Sequence, residues 1–251
     1  MLSLEAICKR FGDVEVLSDI SIEIEKGDTV GLVGPNGSGK TALINVVTGM
    51  HDADAGRVVY GGRDITGLGS HQISRSGIAR TFQNLRLFPR MTVLENVDAA
   101  QHGLPSYNLY QLMFGDREVD KNHRQKSEWA LEQVGLADER DRLAKTLPLP
   151  QLRRLEIARI LARDPELVFL DEPAGGMTPA ESEAMATLIA DRVTPGRTSI
   201  VIEHKMNLIA QVCRRVCVLN AGILIADEKP DVVFTLPQVI EAYLGRRKVS
   251  A

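Results

Sequence analysis

Residues 34–41 read Gly34, Pro35, Asn36, Gly37, Ser38, Gly39, Lys40 and Thr41, which fits G-x-x-x-x-G-K-[ST]. The chemistry this pattern serves is the holding of phosphate. Glycines 34, 37 and 39 let the backbone turn its N–H groups inward as an anion nest. Lys40 adds a charge that reaches β- and γ-phosphates, and the Thr41 hydroxyl is a ligand suited to Mg²⁺. Ala42 follows as the next candidate contact. An apolar stretch, TVGLVG, precedes the loop and a helical run, TALINVVTGM, follows it, as such a loop requires.

A second group of chemistry-bearing residues is Asp171-Glu172 in LVFLDEP. They close a continuous apolar run that reads as a buried strand, and strand ends are where ligands bind in open α/β sheets. Asp171 is then a candidate for the Mg²⁺ shell and Glu172 a base for an attacking water. A helix cap before Pro173, or a solvated acidic pair, is the other reading of these residues.

A third stretch, TLPLPQLRRLEIAR at 146–159, poses a problem. From Arg153 it has helical spacing, with Leu155, Ile157, Ala158, Leu161 and Ala162 apolar. Its start holds two prolines. Each biases the preceding leucine toward extended backbone, and each lacks an N–H. Pro150 fits the first helical position. Bare N–H groups at a helix start are what usually grip phosphate, so the chain gives up donors here.

The elements that must carry these residues alternate in type. LSLEAIC and VEVLSDISIEIEKGD alternate apolar and polar residues, the latter ending at a Lys-Gly-Asp turn. GRVVYGGRDI reads as a hairpin about Gly61-Gly62. From about Ser70 to Arg163 the pattern is mostly helical, with EWALEQVGL ending at Gly135. PAESEAMATLIADRV is an amphipathic helix opening on proline and acids, TSIVIEH is another buried strand, and RRVCVLNAGILIADE a hairpin. The expected fold is α/β, with strands before and after a helical block inserted at roughly 84–165.

Composition sets outer limits. The 251 residues are 44% hydrophobic and 25% charged, ordinary for a globular protein with a full core. A formal net charge of −3 gives no bulk electrostatic case for nucleic acid. Cys8, Cys213 and Cys217 form no disulfide framework and fit a reducing compartment. Cys213 and Cys217 lack a second ligand pair for a metal, so packing is their expected role. The N-terminus has no signal-peptide layout, and no apolar run is long enough to span a bilayer.

Together, GPNGSGKT and LVFLDEP resemble the ATP-binding subunits of ABC transporters, and the resemblance runs nearly the whole chain. It implies one P-loop NTPase domain over 1–251: a mixed sheet with an antiparallel N-terminal β part, and the helical subdomain of that family inserted at 84–165. It implies ATP and Mg²⁺ as cofactors. Gln83 in ARTFQ resembles the family's metal-contacting glutamine, which also faces the membrane subunit. His204 in IVIEH resembles the switch histidine that senses γ-phosphate, PAGGMTP the D-loop that crosses to a partner subunit, and Phe11 in KRFGDVEVL the aromatic that stacks on adenine. Core packing is the alternative for Phe11. Lys40, Glu172 and His204 are then the expected catalytic group, and Thr41, Gln83 and Asp171 the metal group.

Within that family, SGIARTFQNLRLFPRMTVLENV, QLRRLEIARIL, EPAGGMTP and the closing VIEAYLG resemble the branched-chain (hydrophobic) amino-acid uptake class, in its longer ATPase type. That class implies a second, different ATPase subunit, two transmembrane permease subunits and an external substrate-binding protein, with the chain peripheral on the cytoplasmic face of the inner membrane. RLFPRMTVLENV is expected to line the permease docking groove, unless Phe82, Leu87 and Phe88 are simply core. Urea and amide importers have related ATPases. A soluble ABC protein acting on ribosomes or DNA is a rival reading, opposed by the single copy and the lack of long insertions. A nucleotide sensor is another, opposed by intact Lys40, Asp171, Glu172 and His204.

The resemblance also explains the proline problem. Family members start this helix with Leu-Ser-Gly-Gly-Gln or a near variant, which grips the nucleotide held by the other subunit. Here Leu147, Pro148, Leu149, Pro150 and Gln151 stand in its place. Pro148 has neither hydroxyl nor N–H, and Leu149 adds bulk. Losing two phosphate contacts of about 1.5–3 kcal/mol each predicts a weakened clamp and an asymmetric ATPase pair.

Overall fold

A computed structural model describes residues 1–101 and 117–244, with side chains omitted for 117–120. The expected insert is therefore described except at 102–116, and the closing Gly245 lies outside the described residues.

The N-terminal strands β1 (Leu2–Phe11) and β2 (Val14–Ile24) pair antiparallel. With β4 (Ala55–Tyr60) and β5 (Arg63–Asp64) they form a four-stranded sheet in the order β2-β1-β4-β5. The alternation in β2 is the cause of its one-sided burial: Ile20, Ile22 and Ile24 are buried while Ser21 and Glu23 face water.

The second sheet has six strands, β10-β9-β3-β8-β7-β6. Its members are β3 (Thr29–Val33), β6 (Ile78–Arg80), β7 (Leu167–Asp171), β8 (Thr198–Ile202), β9 (Arg215–Asn220) and β10 (Ile223–Glu228). The five from β9 to β6 run parallel, and β10 closes the edge antiparallel. Continuous apolar strands belong here because both faces are covered. In β7, Leu167 and Phe169 enter a core shared with the four-stranded sheet, whereas Val168 and Leu170 enter a second core with the helices. In β8, Ile200 and Ile202 take the first side and Val201 the second.

The helices are α1 (Lys40–Val47), α2 (Ser70–Arg75), α3 (Val93–Gln101), α4 (Arg117–Gln133), α5 (Leu149–Arg163), α6 (Pro179–Leu188), α7 (Met206–Val212), α8 (Pro230–Val233) and α9 (Pro237–Leu244). α3, α4 and α5 lie in the chain between β6 and β7, and their apolar faces share the second core with Val168 and Leu170. The short β6 interrupts the stretch from Ser70 that reads as helical in sequence, because Ile78–Arg80 pair with Leu167–Phe169.

α5 begins earlier than its spacing suggests. Leu149 is helical and Pro148 is the N-cap, so Pro150 occupies the second helical position rather than the first. The first-turn N–H groups have no intrahelical partner, which is why a proline costs the helix no bond there. Among the described residues no helix is long and apolar enough to cross a membrane. Cys213 and Cys217 are buried free thiols, each pushed up to about 12 by burial.

Candidate functional site

The phosphate loop joins β3 to α1 and owes its shape to its neighbours. A side chain at Gly34 would meet the Leu219 carbonyl oxygen at 2.1 Å, and one at Gly39 the Val16 carbonyl oxygen at 2.8 Å. Gly39 also has φ +102, a conformation that disfavours any other residue. The loop is seated against the tip of the β9–β10 hairpin, where Gly222 N–H donates to the Ser38 carbonyl at 3.1 Å. Asn36, Gly37 and Thr41 are exposed on the loop.

Lys40 is buried, and its ammonium donates to the carbonyls of Gly34 at 2.7 Å and Pro35 at 2.9 Å. Burial pushes its pKa below the ordinary lysine value, and Glu172 and Asp171 oppose that shift. A phosphate in the nest competes for this ammonium with two neutral carbonyls. The charge-assisted contact is the stronger one.

Asp171 ends β7 and is 4% exposed, with its N–H on the Thr81 hydroxyl at 2.8 Å. Glu172 follows with φ +48, a left-handed conformation that costs a non-glycine residue energy and recurs at functional sites. Its N–H donates to the Ile202 carbonyl at 2.9 Å, so the strained turn is anchored to β8. The cap and solvated-pair readings of the two acids do not match this geometry: one is buried and the other is engaged by side chains.

Those side chains are Gln83 and His204. Gln83 Nε2 donates to Glu172 Oε2 at 3.1 Å, and His204 Nε2 lies 3.0 Å from Glu172 Oε1. Three residues far apart in sequence thus meet at the C-terminal edge of the parallel strands. Phe11 is 44% exposed and stacks edge-on with His51 at 5.2 Å, so core packing is excluded for it.

Sequence reading gave no task to several residues that hold this arrangement. The Glu203 carboxylate is 2% exposed and accepts N–H bonds from Ala174 at 2.9 Å and His204 at 3.0 Å. Lys205 Nζ donates to the carbonyls of Ala174 and Met177. Residues 203–205 therefore tie the PAGGMTP loop to the histidine. Arg153, in the second turn of α5, donates to the carbonyls of Gln83 at 2.9 Å and Phe82 at 3.3 Å and pairs with Glu156 at 3.3 Å. The sequence signal for Arg153 and Glu156 was their spacing of three on one helix.

Pro148, Leu149, Pro150 and Gln151, the candidate signature residues, form the start of α5, with Pro148 as its N-cap. Leu149 is 36% exposed, and its side chain abuts Gly176 of the PAGGMTP loop. Gln151 Oε1 is buried without a hydrogen-bond partner among the described residues.

Residues 17–175 match the ABC transporter family. The chain belongs to the ABC transporter family. It is 37% identical, over 98% of each chain, to the high-affinity branched-chain amino acid transport ATP-binding protein BraF of Pseudomonas aeruginosa. It is 36% identical over the same shares to the corresponding protein LivG of Escherichia coli. The ADP form of MJ1267, an ATP-binding cassette of an ABC transporter, superposes with a TM-score of 0.85 at 32% identity, over 98% of this chain and 99% of that one. This ABC ATPase chain therefore binds nucleotide and hydrolyses ATP, on the mixed α/β fold of the family's cassettes.

Proposed function

We propose that this ABC ATPase energises uptake of branched-chain or other hydrophobic amino acids through a membrane permease. The observation that carries the reading is the grip on Glu172 by Gln83 and His204 beside the phosphate loop, in a chain similar throughout to BraF and LivG. The residues fit ATP: the backs of Gly34 and Gly39 pack too tightly against Leu219 and Val16 for any side chain, which fixes the loop, and Asn36, Gly37 and Thr41 are exposed on it. They also fit Mg²⁺. Thr41, Gln83 and Asp171 offer oxygen donors only, and no group of three or more His, Cys, Asp or Glu that could hold a metal occurs among the described residues. A magnesium site that relies on substrate phosphates needs no fuller protein cage. When bound, the ion neutralises charge developing on the transferred phosphoryl group.

The chain's own residues do the rest. Residues 34–42 and Phe11 hold the nucleotide, with Lys40 on its terminal phosphates. Glu172 orients and deprotonates water, and His204 and Gln83 fix where its carboxylate points. Gln83 lies beside a groove of about 730 Å³ lined by Met50, Arg80, Phe82, Arg86, Leu87 and Phe88, among others. Phe88 is 49% exposed there, which supports docking over core packing. We assign this groove, between the nucleotide-binding core and the helical insert at 84–165, to the permease. The chain would sit peripherally at the cytoplasmic face of the membrane with two permease subunits and a second ATPase, the external binding protein acting indirectly.

The pair of ATPases would be asymmetric. α5 begins with two prolines and a half-exposed leucine, so its first turn offers few N–H groups to a partner's phosphate. The test is reconstitution in proteoliposomes with the permease, the second ATPase and the binding protein. ATP-driven uptake of labelled leucine, isoleucine and valine is expected. Uptake of urea or acetamide instead would transfer the chain to those importers, and ATP hydrolysis without any uptake would overturn the proposal.

A further inference from the structure

Asp171 has a partner that no motif assigns. Its Oδ2 accepts from the Arg80 guanidinium at 2.7 Å, with both side chains buried, at 6% and 7% exposure. A second nitrogen of the same guanidinium donates to Asn45 Oδ1 on α1 at 2.7 Å and to Oγ1 of Thr48, the α1 C-cap, at 3.2 Å. Arg80 Nε is buried without a hydrogen-bond partner among the described residues. The guanidinium carbon lies 5.1 Å from the centre of the Phe82 ring. One side chain thus joins the helix after the phosphate loop, the acid at the end of β7 and the wall of the groove.

Stability alone does not account for such a pair. A buried ion pair can often be replaced by apolar residues without loss. Separate nitrogens of its fork join Asp171 to Asn45 and Thr48, so its charge is held against the Asp171 carboxylate. Asp171 and Glu172 both lie close enough to Lys40 to act on its charge. Two carboxylates beside the nest repel phosphate. Arg80 offsets one of them whether or not a metal is present.

We propose that Arg80 is a positioning residue for nucleotide binding that acts through Asp171. It holds Asp171 through Oδ2 and supplies a standing charge that lets phosphate approach before Mg²⁺ compensates Asp171. The proposal rests on the reading that Asp171 serves Mg²⁺.

The experiment measures the affinity of the purified chain for mant-ATP by fluorescence, in excess Mg²⁺ and in EDTA. The readout is the ratio of the two dissociation constants, which a merely structural defect would leave unchanged. Arg80→Gln is expected to weaken binding in EDTA far more than in Mg²⁺, raising the EDTA-to-Mg²⁺ ratio roughly tenfold, the scale of one charge acting across about 12 Å at an effective dielectric of about 20. Arg80→Lys, which keeps the charge, should return the ratio to within about twofold of wild type. An unchanged ratio in Arg80→Gln overturns the proposal, as does failure of the lysine to restore it. A wild-type ratio of one would overturn the magnesium reading instead. Should Arg80→Gln not fold, Asp171→Asn and the double variant carry the test, because neither leaves a lone buried carboxylate. Asp171→Asn should bind mant-ATP in EDTA about tenfold more tightly than the double variant, and equal affinities would overturn the proposal.

Discussion

Glu172 Oε1 and His204 Nε2 stand 3.0 Å apart although 32 positions separate them in the chain. The contact follows from register. Asp171 lies opposite Ile202 in the parallel pairing of β7 and β8, so each partner sits just past the end of its own strand. Glu172→Gln keeps the shape of the side chain and removes its basicity. In the assembled transporter ATPase turnover should fall by about 10²–10⁴-fold, the usual contribution of a general base. Binding of mant-ATP should stay within threefold of wild type. Turnover near wild type would place the working base elsewhere.

Lys40 carries a pH prediction. Burial holds its pKa below the ordinary 10.5, so the ammonium starts to lose its proton at lower pH than a free lysine. Bound phosphate favours the charged form, so binding takes up a proton once the free site has begun to lose one. Affinity for mant-ATP should therefore decline with rising pH, beginning below pH 10.5. Lys40→Ala should bind weakly and show no such decline. A wild-type profile flat to pH 10.5 would contradict the burial effect.

The start of α5 can be rebuilt. Replacing Pro148, Leu149 and Pro150 by Ser, Gly and Gly restores a hydroxyl and two N–H donors and removes the leucine side chain. With the second ATPase present, nucleotide trapped by vanadate should rise from one to two per pair, and turnover by up to about twofold. Each restored contact is worth about 1.5–3 kcal/mol. Two nucleotides already trapped in the wild type would show that the native backbone suffices.

Glu156 offers a stability test. Burial raises its pKa, with the Arg86 N–H and Arg153 opposing but not cancelling the effect. A raised carboxylate pKa means the folded state holds its proton to higher pH than the unfolded chain. The group's cost is then fully present above the folded pKa and is relieved as pH falls toward the unfolded value of about 4.5. Measured by urea unfolding, the stability of Glu156→Gln relative to wild type should therefore improve as pH rises from 4.5 toward neutrality. A difference independent of pH would show that Arg153 compensates the charge in full.

Much of this protein was legible in one dimension because its physics is local there. The loop Gly34–Thr41 needs its glycines and lysine at fixed offsets, and continuous apolar runs such as LVFLD can be buried on both faces only inside a sheet. The phosphate site, the acids at a strand end and the α/β class followed from such patterns. The helix start at 146–159 was legible as a conflict between proline and phosphate binding, but its boundary was misplaced, since the first-turn N–H groups that proline lacks are not needed by the helix itself.

What tertiary structure alone decided was pairing between distant segments. Parallel register brought Glu172 to His204, and the β6–β7 pairing put Arg80 and Thr81 beside Asp171. Arg80, Arg153, Glu156 and Glu203 are charged residues that a sequence pattern assigns to water. The side chain of each is buried here because a partner arrives from elsewhere in the chain, for Glu156 the Arg86 N–H. A charge enters a protein interior only where opposite charge or aligned amides await it. Spacing along the chain records where a side chain starts, and only the packed fold determines which partners it meets.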